Sequence, residues 1–164
     1  MADIKNETNL SKGTIYYHFK NKEELYLSCI QQESNEFIRN WGIMSKAERS
    51  AEKKLYIWAN LNNIMLEKPI MNTIQEYFVS TNKNNYDAVL KLYEPEFRIV
   101  SRILEEGIRR GEFKEDLHID DVSVLLYSFI TSLANAELFG YRSSQERKNL
   151  YKLAIDLIVP GLKK

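Results

Sequence analysis

The stretch Leu10-Ser11-Lys12-Gly13-Thr14-Ile15-Tyr16-Tyr17-His18-Phe19-Lys20-Asn21-Lys22-Glu23-Glu24-Leu25 decides how the rest of the chain is read. Ser11 is a good helix N-cap, and the residues from it to His18 suit a short helix. Upstream, Ala2 to Thr8 suits another, with Asn9-Leu10 as a tight turn, because asparagine tolerates left-handed backbone. Ile4, Leu10 and Ile15 supply small apolar contacts across that turn. This is helix-turn-helix spacing, in which the second helix enters the major groove of DNA and its first residues meet base edges. A Ser11 cap leaves backbone N–H groups free for a phosphate. Lys12 and Lys22 bring charge, and Thr14, Tyr16, Tyr17 and His18 bring hydroxyl or N–H donors. Asn21, with Glu24 three residues on, starts a longer helix through Leu25, Tyr26 and Ile30 in the manner of a capping box.

Outward from this segment the pattern stays helical. Proline occurs only at Pro69, Pro95 and Pro160, and no segment alternates apolar and polar residues with a period of two. Apolar residues recur at spacings of three and four instead. Ile99, Ile103, Leu104 and Ile108 form one stripe; Val122, Leu125, Leu126, Phe129, Ile130 and Leu133 a second; Leu150, Leu153, Ala154, Leu157 and Ile158 a third. The spacing predicts helices over 2–8, 11–18, 22–40, 50–67, 69–80, 85–111, 120–139 and 144–160. Gly111 is expected to close one of them, with Arg109 and Arg110 suiting the negative end of its dipole. Asp120 and Asp121 suit a helix start, as does Ser143 or Ser144. Gly42 to Ser45 and the polar run 81–85 are expected loops.

Composition narrows the function classes. With 44% apolar and 28% charged residues the chain has an ordinary globular make-up, and its formal net charge of zero neither favours nor excludes a nucleic-acid partner. Cys29 is the single cysteine, which rules out an intramolecular disulfide and fits a reducing cytoplasm. No apolar run is expected to reach spanning length, no signal peptide is evident, and no membrane partner is expected. His18 and His118 are the only histidines, too few for a structural zinc site. Neither a nucleophile–base motif nor a glycine-rich phosphate loop is present, so no catalysis and no cofactor are expected. Glu105-Glu106 and Asp120-Asp121 read most simply as solvated faces or helix starts.

The segment from Leu10 to Leu25 is similar to the recognition-helix signature of the TetR family of transcription regulators, and Met1-Ala2-Asp3-Ile4 resembles the start of that family's second helix. Ile108-Arg109-Arg110-Gly111-Glu112-Phe113 looks like a turn found late in such proteins. The resemblance implies an all-α protein: a partial helix-turn-helix head with its connecting helix over residues 1–42, and a ligand-binding and dimerisation body over 43–164. It implies base or near-base contacts from Lys12, Gly13 and Tyr16, phosphate contacts from Thr14, Tyr17, His18 and Lys22, and burial of Ile15 and Phe19. The family's head has a first helix before these two. This chain is expected to lack it and to need it restored before operator DNA is held. Lys5 also departs from the family's small residue.

The body of such proteins holds a small, mostly apolar inducer. Trp58, Tyr77, Tyr93, Phe97 and Tyr127 are the expected lining, against the simpler reading that these aromatics are core. Pro95 either kinks its helix and opens space beside Tyr93 and Phe97, or begins a new helix at Glu94. The last two stripes imply a homodimer through residues 120–160, against the reading that both faces serve the monomer's own core. The function implied is a ligand-responsive DNA-binding repressor. The alternative is a dimeric small-molecule-binding or protein-interaction module whose DNA-binding head no longer works.

Overall fold

The computed structural model describes residues 11–71, 73, 77 and 83–164; the helix expected over 2–8, and most of that over 69–80, lie outside the described residues. The described chain is all-α. Helices α1 (Lys12–His18), α2 (Lys22–Met44), α3 (Ala51–Met65), α4 (Lys83–Arg109), α5 (Ile119–Ser132) and α6 (Ser144–Leu162) follow in order, and a 3-10 segment, Leu133–Phe139, continues α5. The sole β-type pairing among the described residues is an isolated bridge between Phe113 and Lys163.

Local chemistry sets most helix starts. The Ser11 hydroxyl accepts the Thr14 amide at 3.0 Å, and Asn21 Oδ1 accepts the Glu24 amide at 2.8 Å. The Glu24 carboxylate reaches back to the Lys20 amide at 2.6 Å, one residue before the expected partner, so the α1–α2 turn is held from both sides. Ser143 and Glu146 complete a reciprocal capping box at α6.

Helix α3 lies at the centre. Its Leu55, Trp58 and Leu61 are buried against Ile99, Val100, Ile103 and Leu104 of α4, Leu126 and Ile130 of α5, and Tyr151, Ile155 and Val159 of α6, with Phe37 of α2 closing one side.

Several expectations are corrected. Helix α2 runs through Gly42 to Met44, so the expected loop there is helical and the 42/43 boundary falls within a helix. A single glycine costs a helix only about 1 kcal/mol, which a helix of 23 residues absorbs. Residues 83–85 of the polar run are helical too, because polar residues are tolerated in a first turn whose amides lack intrahelical partners anyway. Helix α4 is continuous from Lys83 to Arg109 with Pro95 inside it, so no new helix begins at Glu94. Ile119–Phe139, 21 residues with mean hydropathy 1.4, is long and apolar enough to cross a membrane by composition, contrary to expectation. Its Leu126 and Ile130 are spent on the core, and Ser123 is buried in hydrogen bond with Ser101 at 3.0 Å.

The turn after α4 positions everything around it. Gly111 takes φ 73°, a region that favours glycine. Its amide bonds the Ile108 carbonyl at 3.0 Å and the Glu112 amide bonds that of Gly107 at 2.9 Å, the paired pattern of a Schellman motif. The turn aims Glu112 at the start of α3, where its carboxylate accepts the Ala51 and Glu52 amides at 3.0 and 3.1 Å and the Ser50 hydroxyl at 2.9 Å. Burial opposes the Glu112 charge, but these donors outweigh it and hold the carboxyl below its ordinary value. A lowered carboxyl stabilises the fold above its unfolded pKa of about 4.3 and loses that contribution as pH falls through the folded value. Glu112→Gln should therefore cost about 1 kcal/mol at pH 7, and melting curves of the two proteins should converge in acid.

Candidate nucleic-acid interface and ligand cavity

Among the described side chains of α1, Ile15 alone is buried, and Phe19 just after the helix is partly covered. Gly13, Thr14, Tyr16, Tyr17 and His18 are exposed, as is Lys22 at the start of α2, with Tyr17 at 85%. The expected DNA-contacting residues are therefore each open to solvent, apart from Lys12, whose side chain is not among those described. The Thr14 hydroxyl is 2.9 Å from that of Ser11, within the cap. Tyr17 and His18 pack edge to face at 5.1 Å.

Inside the body is a cavity of about 310 Å³. Phe37, Met65, Leu66, Tyr93, Tyr127 and Tyr151 supply an apolar and aromatic wall, while Glu33, Ser34, Asn62, Glu96 and Thr131 supply polar atoms. Two of the five expected lining residues, Tyr93 and Tyr127, are here. The other three are not. Trp58 is wholly buried in the core, 6.4 Å from the Tyr127 ring. Phe97 lies behind Tyr127, edge to face at 5.6 Å. Tyr77 stacks on Tyr26 of α2 at 4.4 Å and donates to Glu23 at 2.8 Å. Helical phase does not separate them, since Tyr93 and Phe97 are four residues apart on one face of α4; the packing of neighbouring helices does, so aromatic content alone cannot sort lining from core. Pro95 lines a separate groove between α2 and α4 with Ile38, Trp41, Arg98, Ile99 and Arg102.

Glu96 was missed. It is 7% exposed and bears on the cavity with no ion pair among the described residues. Burial pushes its carboxyl up to about 7, with the Ser34 hydroxyl pulling the other way. A signal existed in the sequence, since Glu96 falls in register with the buried Val89, Val100 and Ile103 on one stripe of α4. Glu33 differs, lying 3.6 Å from Lys68, which also pairs with Glu36. Burial also raises the phenols of Tyr93 and Tyr127, Glu96 adding to both.

A third surface is apolar and uncovered. Val124, Leu125 and Phe129 of α5 and Leu153 and Leu157 of α6 are exposed, while other residues of the same helices fill the core. The second and third stripes are thus divided between core and surface, so the reading in which both faces serve only the chain's own core does not hold.

Along the chain, then, a short exposed helix is followed by a longer one that lines a body cavity, and two later helices leave apolar faces uncovered. Residues 33–164 match the family described as QacR-like protein, C-terminal region, and residues 1–29 match that described as Bacterial regulatory proteins, tetR family. The chain belongs to the TetR family. It is 26% identical over 121 residues to the fatty acid metabolism regulator protein of Bacillus subtilis, covering 73% of this chain and 62% of that relative. It is 25% identical over 158 residues to the HTH-type transcriptional regulator QacR of Staphylococcus aureus, covering 94% and 82%. The chain thus spans about three fifths of the first relative's length. Among solved structures, FadR from Bacillus subtilis in complex with stearoyl-CoA superposes with TM-score 0.87 at 21% identity, covering 98% of this chain and 87% of that one. A transcriptional regulator from Saccharomonospora viridis in complex with choline gives 0.77 at 19% identity, covering 99% and 86%.

Proposed function

We propose that this protein is a ligand-responsive, DNA-binding transcriptional repressor that works as a homodimer. The observation that carries the reading is α2. Three residues separate its start from the end of α1, and it lines the cavity with Glu33, Ser34 and Phe37. One rigid element therefore joins the DNA-facing surface to the ligand space, and a ligand that shifts it changes how the recognition helix is presented. Family membership supports the same reading, as do the ligand complexes of the structural neighbours.

DNA contact is assigned to Lys12, Gly13 and Tyr16 at or near bases, and to Thr14, Tyr17, His18 and Lys22 at phosphates. In a chain that carries the family's first helix, gel shifts on DNA upstream of the coding sequence should show binding that weakens steeply with salt, because phosphate contacts release counterions. Tyr16→Ala should cost roughly 1–3 kcal/mol and alter sequence preference, whereas Lys22→Ala should weaken all sequences alike. Ligand binding without any DNA binding at low salt would instead favour the module whose head does not work.

The ligand is proposed to be mostly apolar or aromatic, with one polar group facing Glu96. Its sign is testable through Glu96 itself. A cationic or donor group binds more tightly as pH rises from 6 to 8 and Glu96 ionises; an acceptor does the reverse. Glu96→Gln should remove either dependence. It should also raise the melting temperature of the empty protein above pH 7, since a carboxyl raised on folding destabilises progressively between its unfolded and folded values.

A further inference from the structure

We propose that Tyr26, Thr73 and Tyr77 form a clasp that passes occupancy of the cavity to the recognition helix, a positioning role that rests on the ligand-responsive reading above. The Tyr26 and Tyr77 rings stack at 4.4 Å, 30° from parallel. The Tyr26 and Thr73 hydroxyls are 3.0 Å apart, and the Tyr77 hydroxyl donates to Glu23 at 2.8 Å. Three contacts thus join the start of α2 to a segment 47–54 residues away in sequence.

Each end of the clasp meets a different part of the machinery. Met71, two residues before Thr73, lines the cavity. The Tyr26 hydroxyl lies near enough to the cavity residue Tyr93 to disfavour ionisation of its phenol, after burial and Glu96. At the other end, Glu23 and Tyr26 flank Glu24, whose carboxylate holds the Lys20 amide in the α1–α2 turn. Helix α2 rises about 1.5 Å per residue, so Glu33 of the cavity is roughly 15 Å along the helix from Glu23. Phe37, in the core, and the Ser34 hydroxyl, which donates to the Leu92 carbonyl at 3.0 Å, hold α2 beside the cavity and leave its start to be placed by other contacts. A second tie at its far end, made by Thr73 and Tyr77, holds the end of α2 nearest α1, so a displacement of α2 at the cavity wall is felt there. Stacked aromatics with fixed hydroxyl partners suit that task, because they resist sliding and have few rotamers to lose.

The experiment follows hydrogen exchange of residues 12–30 in the full chain with and without N-phenyl-1-naphthylamine, a neutral apolar fluorophore whose affinity for the cavity is read by fluorescence. In the wild-type chain, saturation with this probe should change exchange across residues 12–30 by about tenfold. In Tyr77→Leu the probe should bind within twofold of wild type, yet the change should be lost. Tyr77→Phe keeps the stack without the Glu23 bond and should give an intermediate response, which a purely structural role would not produce. Full transmission in Tyr77→Leu would overturn the proposal, as would a bound probe that leaves wild-type exchange unchanged. Absence of probe binding would overturn the cavity reading and the clasp with it, a failure distinct from the other two.

Discussion

Replacing Leu125 and Leu157 together by glutamate is expected to yield a 19.3 kDa monomer at concentrations where the wild-type chain sediments as a dimer. Both leucines are 69% exposed in the single chain. They lie on α5 and α6 beside Val124, Phe129 and Leu153, on faces turned away from the core. A monomer seldom leaves so many large apolar side chains together in water. Under two-fold symmetry each substitution acts twice, and burying a leucine is worth about 1.5–3 kcal/mol. Removing four should weaken association at least a thousandfold (about 4 kcal/mol), before any cost of bringing glutamates together. The same variant should lose tight binding to a palindromic site, since two recognition helices are no longer held at fixed spacing. A wild-type chain that sediments as a monomer, or a doubly substituted chain that stays dimeric, would remove this face as the interface.

Phe113→Ala should be the most damaging single truncation in the core, costing about 3–5 kcal/mol and lowering the melting temperature by roughly 10 °C or more. Phe113 is completely buried, and its ring lies directly over the α carbon of Gly107. It also anchors the link between the loop after α4 and the end of α6, where the Lys114 amide bonds the Leu162 carbonyl at 2.9 Å. The contact can be tested from its other side. Alanine in place of helical glycine ordinarily gains about 1 kcal/mol. At Gly107 the added methyl would overlap the Phe113 ring, coming within 2.9 Å of Cγ and nearer still to Cδ2 and Cε2. A fully packed ring has no space to retreat into, so overpacking wins and Gly107→Ala should cost about 1–3 kcal/mol. Thermal melts of both single variants and the pair check this. The pair should be strongly non-additive, because the methyl has nothing to strike once the ring is gone. A Gly107→Ala chain that melts above wild type would show that the ring yields after all.

Much of this was legible in the chain order. The Ser11 and Asn21 caps, the Gly111 turn and the Ser143 start are local matters of a few residues, and each is formed as its side-chain chemistry demands. The helical repeat places Ile99, Ile103 and Leu104 inside without reference to any partner. The exposed surface of α1 was also legible, because among the described side chains of this seven-residue helix only Ile15 is buried and the others meet solvent. Local signals were weaker where they carried little energy. Gly42 and the polar residues 83–85 looked like breaks, yet the cost of keeping them helical is small beside that of ending a helix within the packed body.

The cavity was decided by tertiary structure. Tyr93 and Tyr127 line it whereas Phe97 and Trp58 do not, and nothing in their side chains distinguishes them. What differs is which neighbour each meets once α2, α3, α4 and α5 are packed, since even Tyr93 and Phe97, four residues apart on one face of α4, meet different surroundings. Tyr77 was drawn to Tyr26 and Glu23 by a contact across more than 50 residues, which no local pattern encodes. Glu96 is the clearest case. Along the sequence it is one carboxylate among 23 acidic residues; in the fold it is buried against a cavity, and that desolvation alone raises its pKa. The sequence by itself determined the helices, their caps and the family of the head. Packing decided which side chains meet the cavity, because burial belongs to the assembled helices and to no single one of them.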